Sequence, residues 1–118
     1  MTLGIGLIGS GYMGKCHAMA WNGIATVFAD VERSRLVALA DATTELAAKH
    51  GRAFGFARST GNWRDLVADP QIDVISIAAP NQFHAEMSVA ALEAGKHVWC
   101  EKPMATTLED AQIGRAHV

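Results

Sequence analysis

A glycine-rich segment with the spacing G-x-G-x-x-G follows a short apolar run near the start of the chain. The segment consists of Gly9, Ser10, Gly11, Tyr12, Met13 and Gly14. The run before it, Leu3–Ile8, is continuously apolar and predicts a strand buried on both faces. A helical pattern over Met13–Asn22 follows. A buried strand that passes through a tight glycine turn into a helix favours a parallel α/β fold over an all-helical or all-β one.

The rest of the chain continues this alternation of short apolar runs and amphipathic stretches. Further strands are predicted at Leu36–Ala40, Phe54–Ala57, Asp73–Ala78 and Lys96–Cys100. Further helices are predicted at Thr43–His50 with Gly51 as its stop, from a Thr60 cap through Val67, and at Phe83–Ala94 with Gly95 as its stop. Residues 22–35 are expected to form an extended loop. Because each strand–helix–strand connection crosses the sheet, the pattern predicts a doubly wound α/β fold with a parallel sheet.

Composition excludes several classes of protein. The 118 residues suffice for one domain, and ten Lys and Arg against twelve Asp and Glu give no basic footprint for nucleic acid. No apolar run approaches the roughly 18 residues of a membrane span. The two cysteines, Cys16 and Cys100, are too few for a disulfide framework or a zinc cluster. We therefore expect a cytoplasmic protein with no metal site and no nucleic-acid or membrane partner.

The glycine spacing itself indicates a binding site for phosphates. In this arrangement Gly9 permits the tight turn, Gly11 lets the backbone approach a pyrophosphate, and Gly14 allows close packing of helix and strand. The free N–H groups and the positive dipole end of the helix then face the phosphates. We predict that residues 9–14 bind a dinucleotide, and the alternative is a tight turn without a ligand.

Asp41 follows the second predicted strand, where a carboxylate can accept hydrogen bonds from both hydroxyls of an adenosine ribose. It lies 27 residues after Gly14, more than the usual separation of about 20, and the loop at 22–35 supplies the excess. A 2′-phosphate about 4 Å from this carboxylate would cost about 4 kcal/mol at an effective dielectric constant of 20. No cation follows in Ala42, Thr43 or Thr44. The sequence thus favours NAD over NADP, and the alternative for Asp41 is a helix N-cap.

Two polar clusters follow the fourth and fifth predicted strands, at the sheet edge where ligands of such folds bind. They are Ala79, Pro80, Asn81 and His84, and then Glu101, Lys102 and Pro103. Together with the glycine turn, His17, Asp41 and the Ala-Gly-Lys-His-Val sequence at 94–98, they make the chain resemble the N-terminal part of the Gfo/Idh/MocA oxidoreductases. This family includes inositol, glucose and other sugar dehydrogenases.

The resemblance implies a Rossmann NAD-binding domain and a role for each cluster. Ala79, Pro80, Asn81 and His84 would border the nicotinamide side, Glu101 would lie near the nicotinamide ribose, and Lys102 would be the active-site lysine. An ammonium group there can hydrogen-bond a substrate oxygen and stabilise an alkoxide. By residue type alone, a solvated strand-end lysine paired with Glu101 is the better interpretation of Lys102, and the family order of motifs favours the active-site role. His84 could also cap or pack its helix, and we interpret His17 as structural.

The resemblance also implies the reaction. We expect a dehydrogenase of the inositol 2-dehydrogenase kind, which oxidises a secondary alcohol of a polyol or sugar and passes hydride to NAD. The alternative is an NAD(H)-binding module without catalysis. Family members carry a second, α+β domain that supplies most of the substrate pocket, so we expect little turnover from these 118 residues and a homo-oligomer for the full-length enzyme.

The end of the chain departs from the family pattern. We expect residues 1–111 to form the dinucleotide-binding domain, without the last strand of its sheet and without the second domain. Residues 112–118 are predicted to be a non-native tail, because Ile113–Val118 can be encoded by ATC-GGA-AGA-GCA-CAC-GTC, the start of a common short-read sequencing adapter. A natural chain with an unusual end is the alternative, and a genomic locus that continues through these codons would establish it.

Overall fold

A computed structural model describes residues 2–117 as alternating strands and helices. In chain order the elements are β1 (Gly4–Ile8), α1 (Tyr12–Val27), β2 (Arg35–Ala40), α2 (Thr44–Phe54), β3 (Arg58–Thr60), α3 (Arg64–Ala68), β4 (Val74–Ile77), α4 (His84–Glu93), β5 (His97–Cys100) and α5 (Leu108–His117). A short 3₁₀ turn, Asn81–Phe83, precedes α4. Each strand and helix predicted from the sequence has a counterpart here, although several bounds differ.

The strands of the described residues form one sheet in the order β3-β2-β1-β4-β5. All four neighbouring pairs are parallel. The predicted doubly wound α/β fold is thereby confirmed. The chain leaves β1 toward β2 on one side and returns to β4 on the other, so the connections diverge at the carboxyl ends of β1 and β4. In open parallel sheets that point of divergence is where ligands bind.

Alternate residues of the central strands build two cores, one on each face of the sheet. Leu7 of β1 packs in a cluster with Ala18 of α1 and Ala47 of α2. Its neighbour Ile8 packs in a second cluster with Leu66 of α3, and Met87 and Ala91 of α4 belong to that cluster too. Helices α1 and α2 therefore cover one face, and α3 and α4 cover the other.

The prediction that Gly51 ends the second helix is wrong. Helix α2 continues through Gly51 to Phe54, and Gly55 in the left-handed conformation (φ +88°) caps it. A Cβ atom at Gly51 would lie 3.3 Å from Cβ of Ser59, so this glycine serves close packing of α2 on β3 rather than termination. The third strand is accordingly displaced from the predicted 54–57 to Arg58–Thr60.

Two other boundaries also differ from the prediction. Helix α1 extends to Val27, so about half of the predicted loop at 22–35 is helical. Thr60 lies in β3 and does not cap α3, which begins at Arg64. Its hydroxyl instead accepts a hydrogen bond from the Asn62 N–H and donates one to Asp65, which shapes the loop between β3 and α3.

Strand β5 forms one edge of the sheet in the described part of the chain, and its side chains alternate between exposed and half-buried. After it the chain returns as α5, which packs on α4. Residues 112–117 belong to this helix, and their non-native origin stays a prediction. Within residues 2–117, none of the helices has both the length and the apolar character needed to cross a bilayer.

Candidate functional site

In the turn after β1, two of the three glycines are required by packing within the protein, independently of any ligand. Gly9 has φ +95°, and a Cβ there would lie 2.6 Å from the carbonyl carbon of Ala78. A Cβ at Gly14 would lie 2.0 Å from the carbonyl oxygen of Gly9. Because both distances are far below van der Waals contact, the turn and the first turn of α1 pack on each other and on the end of β4 only with glycine at these positions.

Gly11 is different, because no described atom lies within 4 Å of a Cβ built there. Its φ of −73° is open to any residue. It is the N-cap of α1, no side chain of the described residues caps the helix, and the first turn carries no acid. The N–H groups of that turn lack helical partners, so they can bind a phosphate that approaches the open space at Gly11.

Asp41 lies directly beside this turn and is bonded to it. One carboxylate oxygen, Oδ2, accepts hydrogen bonds from the Ser10 N–H (2.8 Å) and from the Ser10 hydroxyl. The other, Oδ1, accepts from the Ala42 N–H at 2.6 Å. The cap of α2 is Thr43, whose hydroxyl oxygen accepts from the Leu46 N–H, so the alternative role of Asp41 as N-cap is wrong.

A histidine that the sequence pattern did not single out extends this network. Nδ1 of half-buried His50, on α2, lies 2.6 Å from the Ser10 hydroxyl oxygen. With the hydroxyl proton donated to Asp41, the ring N–H of His50 donates to Ser10. Two backbone N–H groups and the Ser10 hydroxyl, itself held by His50, thus fix the direction of the Asp41 carboxylate. No local sequence pattern indicates this bond, because the two residues lie 40 positions apart.

An apolar cavity of about 240 Å³ opens next to Asp41 at the carboxyl ends of β1, β2 and β4. Its lining comprises Ile8, Gly9, Asp41, Ala42, Trp63, Ala79, Pro80, Phe83 and Met87. A neighbouring cavity of about 350 Å³ shares several of these residues and is also lined by Ser10, Gly11 and His50. Together they can take a flat apolar ring and an attached polar group beside one carboxylate. Sequence reasoning missed Trp63, Phe83 and Met87, which lie on loop and helix positions without a motif.

The segment after β4 contributes differently at its two ends. Ala79 and Pro80 line both cavities, and exposed Asn81 begins the 3₁₀ turn. His84 is only 1% exposed, and its ring nitrogens lie 2.7 Å from the carbonyl oxygens of Ala79 and Pro103. These contacts match the alternative interpretation of His84 from the sequence, in which it packs within the protein.

Lys102 is exposed at the carboxyl end of β5, on the same sheet edge as the glycine turn. The N–H of Glu101 before it donates to Ile77 O and continues the β4–β5 ladder, and the bond to Pro103 after it is cis. The Glu101 carboxylate lies 2.9 Å from Nε2 of buried His17. This hydrogen bond from His17, together with weaker interactions that include the Lys102 ammonium, lowers the pKa of Glu101.

No group of three or more His, Cys, Asp or Glu side chains in residues 2–117 is arranged to hold a metal ion. The chemically active groups at this edge are therefore uncapped N–H donors, one fixed carboxylate, an apolar cavity and an exposed ammonium group. This set fits an anionic, ring-bearing ligand such as a dinucleotide.

Comparison with known proteins agrees with this arrangement. A family model described as an oxidoreductase family with an NAD-binding Rossmann fold matches residues 3–115. Levoglucosan dehydrogenase from Pseudarthrobacter phenanthrenivorans is 48% identical over 113 residues, which are 94% of this chain and 29% of that protein. Inositol 2-dehydrogenase from Salmonella typhimurium is 35% identical over 113 residues, 95% of this chain and 32% of that protein.

Solved structures show the same likeness. Levoglucosan dehydrogenase in complex with NADH and levoglucosan superposes with a TM-score of 0.97 at 44% identity, over 100% of this chain and 32% of that one. The myo-inositol dehydrogenase from Lactobacillus casei, in complex with NAD(H) and myo-inositol, gives a TM-score of 0.86 at 29% identity, over 99% of this chain and 33% of that one. The chain thus spans about a third of the length of these relatives.

Proposed function

This chain belongs to the Gfo/Idh/MocA family of oxidoreductases and is an NAD-binding Rossmann domain of that family, and from this premise we propose that it serves a dehydrogenase acting on a secondary alcohol of a polyol or sugar. The observation that carries the proposal is the open approach to Gly11 beside the fixed carboxylate of Asp41. Relatives named for levoglucosan and for inositol support the substrate class, because both compounds carry secondary alcohols on a ring.

Cofactor binding would use the chain's own groups as follows. The glycine turn at residues 9–14 would hold the pyrophosphate through the free N–H groups at the start of α1, and the apolar cavity would take the adenine. Asp41 would accept the hydroxyls of the adenosine ribose. A 2′-phosphate would approach the same carboxylate, which supports NAD over NADP. Bound NAD supplies the hydride acceptor.

The residues that follow β5 would contact the substrate. The Lys102 ammonium would hydrogen-bond the reacting oxygen and stabilise the alkoxide, which forms when a base from outside this region takes the hydroxyl proton and which then loses hydride. Glu101 would lie near the nicotinamide ribose, with Ala79, Pro80, Asn81 and His84 bordering the nicotinamide. The relatives are about three times as long as this chain, and we expect most of the substrate pocket to come from residues outside the part that it matches. We therefore expect little turnover from these 118 residues alone. A cytoplasmic location and a homo-oligomeric full-length enzyme stay predictions.

Titration of the chain with NADH, followed by nucleotide fluorescence, tests the cofactor proposal. We expect Asp41→Ala to weaken NADH binding about tenfold or more, because the ribose hydroxyls lose their acceptor. Asp30→Ala, at an exposed loop position, is the matched control and should bind like the unsubstituted chain. NADPH should bind the unsubstituted chain at least about 100-fold more weakly than NADH, and Asp41→Ala should narrow this gap.

Equal affinity of the chain for NADH and NADPH, or an Asp41→Ala variant that binds NADH normally, would contradict the roles assigned here. Lys102→Ala separates an enzyme from a pure binding module. In a longer protein that contains these residues, it should abolish turnover on a panel of polyols and sugars while NADH still binds. Turnover that survives Lys102→Ala would remove the catalytic role.

A further inference from the structure

Two buried histidines contact the residues on either side of Lys102. His17 of α1 and His84 of α4 are each 1% exposed. His17 contacts the side chain of Glu101, and His84 contacts the backbone of Pro103. Since α1 and α4 cover opposite faces of the sheet, the two contacts approach the segment 101–103 from opposite sides.

The protonated nitrogen of His17 can be assigned from its surroundings. Nδ1 is buried and has no hydrogen-bond partner among residues 2–117, whereas Nε2 lies 2.9 Å from Oε1 of Glu101. A hydrogen on Nδ1 would be an unsatisfied buried donor, so the ring carries its hydrogen on Nε2 and donates it to the carboxylate. The ring is also stacked on Trp99, with centroids 3.8 Å apart and planes 13° apart, which fixes its orientation.

His84 forms a bridge between two backbone segments. Its Nδ1 lies 2.7 Å from the carbonyl oxygen of Pro103, and its Nε2 lies 2.7 Å from that of Ala79. Carbonyl oxygens only accept hydrogen bonds, so His84 is the donor in each bond that forms. With a hydrogen on each ring nitrogen, His84 donates to both carbonyl oxygens and links the residue after Lys102 to the end of β4.

The segment 101–103 depends on such contacts because of its position. It follows an edge strand, and Glu101 N–H to Ile77 O is the last β4–β5 ladder bond before Lys102. Segments with few buried contacts open locally at low free-energy cost. We propose that His17 and His84 are positioning residues that clamp Glu101 and Pro103 from the two faces of the sheet and so fix the direction in which Lys102 is presented. The catalytic meaning of this clamp rests on the function proposed for Lys102, whereas the clamp itself does not.

NMR of the unsubstituted, ¹⁵N-labelled chain without nucleotide tests the clamp directly. We expect slowly exchanging ring N–H signals from both histidines, with the His17 hydrogen on Nε2 and a His84 hydrogen on Nδ1, the nitrogen that faces Pro103. Exposed His97 on β5 serves as the internal control, and its ring N–H should exchange too fast to be seen. Loss of the ring N–H signals of His17 and His84, or a His17 hydrogen on Nδ1, would overturn the proposal.

Variants test whether the contacts position Lys102 or only stabilise the fold. In His17→Leu and His84→Leu we expect the Glu101 amide to exchange about five- to tenfold faster relative to amides of β1 and β4, and the heteronuclear NOE of the Lys102 amide to fall. His97→Leu should change neither. His17→Gln retains a donor at similar reach, so it should restore the Lys102 order lost in His17→Leu.

Uniformly faster exchange in all strands, or Lys102 order that is unchanged in both leucine variants, would contradict a positioning role. A His17→Gln variant that behaves like His17→Leu would assign the effect to ring packing instead. None of these measurements includes a nucleotide, so failure of the clamp and failure of NADH binding are separate results.

Discussion

The sheet edge that carries the candidate site has two sides of different construction. We call the glycine turn, Asp41 and the apolar cavity the adenosine side, after the part of the cofactor proposed to bind there. Its strands β1 and β4 are buried throughout, and the side chains of Ser10, Asp41 and His50 form hydrogen bonds within the site. On the lysine side, formed by residues 101–103, strand β5 is alternately exposed and Lys102 is open to solvent. The order of this second side comes from His17 and His84, which lie in distant helices.

Under the proposed function, this difference separates the residues that bind the cofactor from the residue that takes part in the reaction. The adenosine side is built largely from backbone geometry, which a short motif can encode. The lysine side depends on side-chain contacts that exist only after the sheet and its helices have packed. We therefore expect variants on the adenosine side to affect either the fold or cofactor affinity, and variants on the lysine side to change local order.

The largest effect is expected within the adenosine side, from Gly14→Ala. Its new Cβ would lie 2.0 Å from the Gly9 carbonyl oxygen, so the turn or α1 must move. We expect the free energy of unfolding to fall by about 3 kcal/mol or more, measured by urea denaturation. The matched control is Gly23→Ala in the same helix, where no described atom other than those of the adjoining residues and the helix's own backbone lies within 4 Å of the new Cβ. That variant should gain about 0.5–1 kcal/mol.

Gly11→Ala should affect binding and leave the fold intact. The new methyl group meets open space, so the free energy of unfolding should fall only by the roughly 1 kcal/mol or less that alanine costs relative to glycine at an N-cap. The same methyl group occupies the approach of the pyrophosphate, so NADH affinity should fall about tenfold or more in a fluorescence titration. Normal NADH binding by this variant would mean that the phosphates do not approach Gly11. It would contradict the assignment of Gly11 to binding and of Gly14 to folding.

A smaller, pH-dependent effect is expected on the lysine side. The hydrogen bond from His17 holds the pKa of Glu101 below its ordinary value of 4.5. A carboxyl group with a lowered pKa in the folded state stabilises the fold above its ordinary pKa, and this contribution disappears as the pH falls through the lowered value. The stability difference between the chain and Glu101→Gln should therefore be present at pH 6–7 and shrink toward pH 3 in urea denaturation.

The control for this series is the same Glu101→Gln change made in a His17→Leu background, where the carboxylate has already lost this donor. There the stability difference should depend on pH much less than in the unsubstituted chain. A flat difference in the unsubstituted chain as well would show that the His17 bond contributes nothing to folding, and a difference that grows on acidification would reverse the expected sign.

The same contrast explains how much could be predicted from the sequence. The parallel sheet, the glycine turn and the place of Asp41 follow from local patterns, and all three were predicted. The bonds of His50 to Ser10 and of His17 to Glu101 join residues 40 and 84 positions apart, and no local pattern contains them. Gly51 and Gly55 show the limit within one helix, because composition does not distinguish a glycine that packs against a strand from one that ends the helix.

The strand order has a consequence for how the protein is made. β1 lies between β2 and β4, so during synthesis it has a partner on both sides only once residues 74–77 have been made. Until then its apolar residues have no complete sheet to join, and pairing of such distant segments is slow. Newly made chains therefore depend most on protection from aggregation in the interval after β1 has been synthesised and before β4 has been synthesised.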